Sequence, residues 1–228
     1  MKKILSLLLC SIFLLNSSFI NIKAESTEIS CNPCVAIEGE DYIDPDWISV
    51  ANGNAGTQIQ PYATTRNLFI TNLYQNDYSN VMQSCGLTIA SAGCALTSFT
   101  MVANYLNGTN YTPAQVNSKL GSNACPLYWD AAASAYNIKK AANKTSGLTT
   151  SYVNSELVTQ INNSVPVIVG MRLANGNSHY VVVKGYSISG STTTFNIADP
   201  NKYSGKTTLN AYLSSGATVT QLVVYVSY

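Results

Sequence analysis

A chain of 228 residues with a formal net charge of +1 is long enough for one domain with a sizeable core plus some extra chain. Its basic residues are scattered rather than clustered, which argues against nucleic-acid binding. No apolar run after the first 24 residues is long enough to span a bilayer.

The chain opens with Lys2 and Lys3, an apolar run from Ile4 to Leu15, and then Lys23-Ala24-Glu25. A charged start, a short apolar core and a small residue at the cut are the pattern of a secretory signal, here over 1–24. Leu9 precedes Cys10, where a lipid-anchored signal would have a small residue. The expectation is an exported protein, extracellular or loosely cell-wall associated, monomeric, with no integral membrane segment once the signal is removed.

Residues 25–64 contain Glu25, Glu28, Glu38, Glu40, Asp41, Asp44 and Asp46 and no Lys or Arg, a charge of −7. Residues 65–228 carry nine Lys and Arg against Asp77, Asp130, Glu156 and Asp199, a charge of +5. The acidic segment lacks periodicity and reads as a poorly ordered pro-segment or linker. Its charge suits docking on the domain that follows. Within it, Cys31-Asn32-Pro33-Cys34 lacks partners for zinc, since a site takes two more ligands and the chain has one histidine. A local disulfide, or no role, is expected, and no metal or other cofactor.

From Arg66 the pattern changes. Residues 67–73 read as a strand, followed by the loop Tyr74-Gln75-Asn76-Asp77. Leu96, Phe99, Ala103 and Leu106 recur at helical spacing, so a helix starts near Cys94 and ends at Asn107-Gly108. Thr112-Pro113-Ala114-Gln115 is a capping box opening a helix to about Leu120. Further helices are expected over 129–136 and over 155–162, the latter capped by Ser155. Strands follow over 165–169, 179–186, 192–198 and 221–227. Helices first and an antiparallel sheet after them is an α+β arrangement, with 65–228 as the functional domain.

Three residues in that frame carry chemistry. Cys94 follows Gly93 at a helix N-terminus, where the macrodipole favours a thiolate. His179 opens a strand. The turn around Ser189 folds the next strand back so that Asp199 comes opposite His179, close enough to accept the Nδ1–H of the ring. Cysteine chemistry uses a thiolate, a base that later protonates the leaving group, and a group that orients the base. An oxyanion donor completes the set, and the residues alone leave Gln75 and Gln83 as candidates. Five cysteines follow residue 24, an odd number, so at least one thiol stays out of internal disulfides. Pairing Cys31 with Cys34 and Cys85 with Cys125 leaves Cys94 as that thiol.

The stretches YQND, TIASAGCALTSFTMV, VPVIVG, and SHYVVVKGY with FNIADP resemble the papain-like cysteine peptidases related to the bacteriocin-processing (double-glycine) peptidases. More narrowly they resemble the secreted, soluble branch without a transporter. The resemblance runs from about Leu68 to Ala198. It implies a papain-like fold with Cys94 as nucleophile, His179 as base and Asp199 as orienter. It favours Gln75 as oxyanion donor, because Gln75-Asn76-Asp77 fits the family's Gln-x-Asp element. Tyr78 stands near where relatives often carry a tryptophan. The implied activity is hydrolysis of a peptide or protein substrate through an acyl-enzyme. The alternatives are a cell-wall peptide amidase or acyl transferase using the same triad, and a non-enzymatic exported binding domain.

Overall fold

The computed structural model describes residues 42–43 and 64–228. The signal reading over 1–24, the Cys31–Cys34 motif and nearly all of the acidic segment lie outside the described residues. In chain order the elements are β1 (Tyr42–Ile43), β2 (Thr65–Asn67), a 3₁₀ turn (Gln75–Asp77), α1 (Ile89–Ala92), α2 (Cys94–Asn107), α3 (Pro113–Leu120), a second 3₁₀ turn (Gly121–Asn123), α4 (Trp129–Ala135), β3 (Ile138–Lys144), α5 (Thr150–Asn162), β4 (Val167–Arg172), β5 (Ser178–Ser189), β6 (Thr192–Ala198), α6 (Leu209–Ser214) and β7 (Thr218–Ser227). All strands join one antiparallel sheet in the order β1-β3-β7-β4-β5-β2, with β6 pairing the other side of β5. The α+β class expected from the element pattern is the one observed.

The sheet is buried on both faces. Tyr180, Val182, Ile168, Val223 and Tyr225 point to one core, shared with α2, α3 and α4 through Phe99, Val102, Val116 and Trp129. Val181, Val183, Val167 and Val169 point to the other, shared with α5 and α6 through Val153, Leu157, Leu209 and Tyr212. Strands covered on both sides read as runs of valine rather than as alternation. Each fully buried valine or leucine contributes about 1.5–3 kcal/mol.

Local chemistry sets most element ends. Gly108 closes α2 in the left-handed region at φ 62, where glycine has no steric cost. Both bonds of the Thr112–Gln115 capping box are present. Thr149, not Ser155, caps α5 by accepting from the Tyr152 N–H, so this helix starts earlier than the sequence pattern places it. The strand expected over 67–73 ends at Asn67. Beyond it, the edge of β5 that β2 occupies is taken by β4, which pairs with residues 178–183. The chain therefore turns away: the Ile70 N–H folds back onto the Leu68 carbonyl and the Leu73 N–H donates to Met101 Sδ. The short strand β1, the second 3₁₀ turn, α1, β3 and α6 have no counterpart in the sequence reading.

Cys85 and Cys125 form a disulfide with a Cα–Cα distance of 5.7 Å. It encloses α1, α2 and α3. Cys94, inside that loop, is outside any disulfide and buried.

The hairpin of β5 and β6 carries the irregularity on which the site depends. Near the turn the pairs are Ser189↔Thr192, Tyr186↔Phe195 and Gly185↔Asn196; farther along they are Val183↔Ile197 and Val182↔Ala198. Lys184 is thus an extra residue in β5, a β-bulge. The side chains record the change of face: Val181 and Val183 precede it in the same core that Tyr186 and Ile188 join after it. At the bulge β2 presses close. A Cβ on Gly185 would lie 2.0 Å from Asn67 Oδ1 and 2.5 Å from the Arg66 carbonyl oxygen. The second contact is with backbone and does not yield easily. Gly185→Ala is therefore expected to cost about 1–3 kcal/mol, seen as a lower thermal unfolding midpoint. An unchanged midpoint would show that β2 does not sit against the bulge.

Candidate active site

The Cys94 side chain comes from the α2 side of the sheet, and His179 and Asp199 from the other. His179 and Asp199 meet at the edge of β5 where β6 stops. The last pair on that edge is Val182↔Ala198. One residue farther along β5 from the end of β6 than that pair's next neighbour, the Tyr180 carbonyl accepts from Ser98 Oγ of α2 at 3.2 Å. Ser98 is buried, so this bond replaces one the ladder no longer supplies. Cys94 lies four residues before Ser98 on the same helix face, and His179 is next to Tyr180. The helix N-terminus is thereby drawn to the strand that bears the histidine.

Gly93 is the N-cap of α2. A Cβ there would lie 2.5 Å from Ile89 Cγ2 and 2.6 Å from the Ile89 carbonyl oxygen, so only glycine fits between α1 and α2. The first helical bond of α2 runs from the Thr97 N–H to the Gly93 carbonyl. The N–H groups of Cys94, Ala95 and Leu96 precede it, at the positive end of the helix.

His179 and Asp199 are both buried, at 4% and 5% exposure. Nε2 of His179 lies 2.9 Å from Asp199 Oδ1. This corrects two details of the sequence reading. The ring presents Nε2, not Nδ1, to the carboxylate, so the pairing favours the tautomer with its proton on Nε2 and leaves Nδ1 as the nitrogen that can take a proton. Nor are the two residues directly opposite. Continued one step past β6, the register sets Asp199 against Val181, a diagonal neighbour of His179 on the same face. Diagonal neighbours are about 7–8 Å apart at the backbone, within reach of long side chains.

Asp199 is held from every side. Oδ1 also accepts from the Asn201 N–H at 2.9 Å. Oδ2 accepts from Ser204 Oγ at 2.6 Å and from Tyr212 Oη at 2.5 Å. Burial opposes ionisation of this carboxyl. The bond and attraction to His179 and the two hydroxyl bonds outweigh it, and they hold the carboxyl below its ordinary value. The Tyr212 ring also packs beside the imidazole, centroids 5.4 Å apart.

Gln75 is fully buried and donates from Nε2 to the Ala90 carbonyl at 3.0 Å, in the short helix leading to Cys94. Its own N–H donates to the Pro200 carbonyl at 2.8 Å, directly after Asp199. The same junction holds an Asp77–Lys202 ion pair and a bond from the Lys202 N–H to Asn76 Oδ1 at 3.0 Å. Gln83, the other glutamine considered, is exposed and lies against Gly121. Thus Gln75 shares the junction with the Asp199 loop and the approach to Cys94, and Gln83 does not. Among the described residues no group of three His, Cys, Asp or Glu is placed to hold a metal ion, and no helix is long and apolar enough to cross a membrane.

A family profile described as the Peptidase_C39 like family matches residues 67–222. That span runs from Asn67, the last residue of β2, to Leu222, midway along β7, and includes the four candidate residues Gln75, Cys94, His179 and Asp199. The chain belongs to the Peptidase_C39 like family. Membership points to peptidase chemistry on a peptide or protein substrate, and the mixed helix and antiparallel sheet agree with a papain-like α+β fold. No curated protein and no solved structure matches the chain.

Within this C39-like domain the sequence reading missed Ser204 and Tyr212. A local signal exists for the Asn201 bond, since Asp before a turn commonly accepts from the N–H two residues on. Nothing in the spacing marks Tyr212, which arrives on α6, held to β6 by Asn210.

The lowered pKa of Asp199 fixes a pH dependence of stability. A carboxyl with a folded pKa below its unfolded value near 3.8 contributes stability that is present above that value. The contribution is lost as pH falls through the folded pKa. Urea unfolding at a series of pH values is expected to show stability dropping below about pH 4. Asp199→Ala is expected to flatten that part of the drop, and an equal drop in both proteins would assign it elsewhere.

Proposed function

We propose that the protein is an exported cysteine peptidase in which Cys94, His179 and Asp199 act as a triad. The observation that carries the reading is the buried His179–Asp199 pair at 2.9 Å, on the strand that accepts the Ser98 bond one helical turn from Cys94. In the proposed reaction the His179 imidazole takes the thiol proton on Nδ1. The Cys94 sulfur attacks the scissile carbonyl carbon. The carbon–nitrogen bond breaks as the imidazolium gives its proton to the leaving amine. Water, deprotonated by the same imidazole, then attacks the thioester, and the acyl group leaves as a carboxylic acid with the thiol regenerated. Asp199 holds the ring through Nε2 and stabilises its charged form. The Cys94 N–H, at the helix N-terminus, and the Gln75 amide stabilise the tetrahedral oxyanion.

A kinetic comparison of three variants on a peptide library tests this. Cys94→Ala is expected to abolish turnover and labelling by an electrophilic thiol probe. Gln75→Ala is expected to lower kcat by about 10²–10³ with a smaller change in KM, and Gln83→Ala to leave both near the parent values. Turnover that persists in Cys94→Ala would overturn the assignment.

Export and a removable acidic segment over 25–64 belong to the same proposal. The Cys85–Cys125 disulfide suits an oxidising compartment. β1, which lies within the acidic segment, pairs with β3, the strand bearing Lys139, Lys140 and Lys144. A chain beginning at Thr65 is expected to show a higher kcat/KM than one beginning at Glu25, and equal values would count against inhibition by the segment.

A further inference from the structure

We infer that Tyr212 and Ser204 are positioning residues that lock the Asp199 carboxylate through Oδ2 and set the basicity of His179. The kinetic part of this inference rests on the triad reading above; its direct test does not.

The geometry divides the carboxylate into two halves. Oδ1 faces the imidazole and the Asn201 N–H; Oδ2 faces only hydroxyl donors, Tyr212 Oη at 2.5 Å and Ser204 Oγ at 2.6 Å. With one oxygen held by two donors from different elements, the carboxylate cannot rotate about its last bond without breaking both. Oδ1 is thereby fixed in the ring plane's reach. Hydroxyl groups in these positions also aim the positive ends of their dipoles at the Asp199–His179 pair. They share the carboxylate's charge, so less of it is concentrated on the imidazole. Both hydroxyls bond the carboxylate directly, so both effects act through Asp199.

The other groups around the pair are few. From β4 the residue paired with His179 is Met171, which is uncharged. From α2, the triad reading sets the Cys94 thiol beside the ring. From the 200–208 loop, the Lys202 ammonium is engaged by Asp77 and the Lys206 ammonium stands 5.0 Å above the far-side partner, the Tyr212 ring. Lys206 disfavours a charged imidazole in the same sense as the hydroxyls, and its main chain is tied to Ser204 Oγ at 3.2 Å. Tyr212 is the better lever because its ring and its hydroxyl can be separated: phenylalanine keeps the packing on His179 and removes only the bond to Asp199.

His179 is the one histidine in the chain, so its ring C–H proton resonance reports its titration without assignment work. The test follows that resonance against pH in the full chain carrying Cys94→Ala, which removes both turnover and the thiolate. Adding Tyr212→Phe is expected to move the titration midpoint up by about half a pH unit or more. Adding Ser204→Ala is expected to move it in the same direction. In the chain with Cys94 intact, the basic limb of the kcat/KM profile is expected to move up with it. A midpoint that stays or falls in both variants while the unfolding temperature drops would show a purely structural role and overturn the inference. Should Tyr212→Phe not fold, Ser204→Ala, at a half-buried position, decides alone. A shifted midpoint in a protein that never hydrolyses a peptide would uphold the positioning role and refute the peptidase reading, so the two fail separately.

Discussion

The site depends on one extra residue in a hairpin. Without Lys184 as a bulge, the pairing set near the turn, Gly185 with Asn196, would continue to place Asp199 against Val182. Its carboxylate would then emerge on the α2 face, across the sheet from His179. A one-residue slip reverses every side chain, and here the slip is built in. Gly185 allows it, because the backbone of β2 occupies the space a side chain would fill. The Lys184 carbonyl, displaced by the bulge, accepts from the Leu68 N–H at 2.7 Å. The bulge is therefore held on both sides and is a fixed part of the fold.

The second constraint is the ending of β6 at Ala198. A longer strand would close the edge of β5 against α2. Its absence leaves the Tyr180 carbonyl to Ser98 and lets the helix N-terminus approach the sheet. The loop that replaces it, 199–208, then does two things at once. It folds Ser204 back to Asp199, and through Pro200 and Lys202 it grips the Gln75–Asp77 turn. Cys94, His179, Asp199 and Gln75 come from four segments, and hydrogen bonds tie these segments in turn: Ser98 to Tyr180, His179 to Asp199, and the Gln75 N–H to Pro200. The proposed triad would tolerate little displacement, and such ties supply the rigidity.

Most helices and the long strands were legible in the chain, because their signals are local. The capping box at Thr112, the helical spacing through Leu96, Phe99 and Ala103, and Gly108 at a left-handed end each depend on neighbours within a turn. Strand β6 shows the same: Thr192 to Ala198 is bounded by a glycine turn and by Asp199-Pro200. The elements that escaped notice lack such signals. β3 is IKKAANK, poor in β-formers, and is a strand because β7 and β1 flank it. α6 is six residues long and stands on the bonds of Asn210 to β6. The expected strand over 67–73 was cut short by competition with β4 for one edge, a contest between segments about 100 residues apart in the chain.

By itself the sequence determined which residues are the candidates for the chemistry. A single histidine, a cysteine after Gly93 at a helix start, an aspartate ahead of a proline and a glutamine before Asn76-Asp77 are matters of residue type and local spacing. Those are written in the chain and need no folding to read. Only the tertiary structure decided how they meet: that the imidazole turns Nε2 to Asp199, that the two residues are diagonal rather than opposed, and that Ser204 and Tyr212 hold the other carboxylate oxygen. The reason is register. Which face a strand side chain takes, and which ring nitrogen finds a partner, depend on a bulge whose cause is the packing of β2 against Gly185, and that contact joins positions separated by more than half the chain.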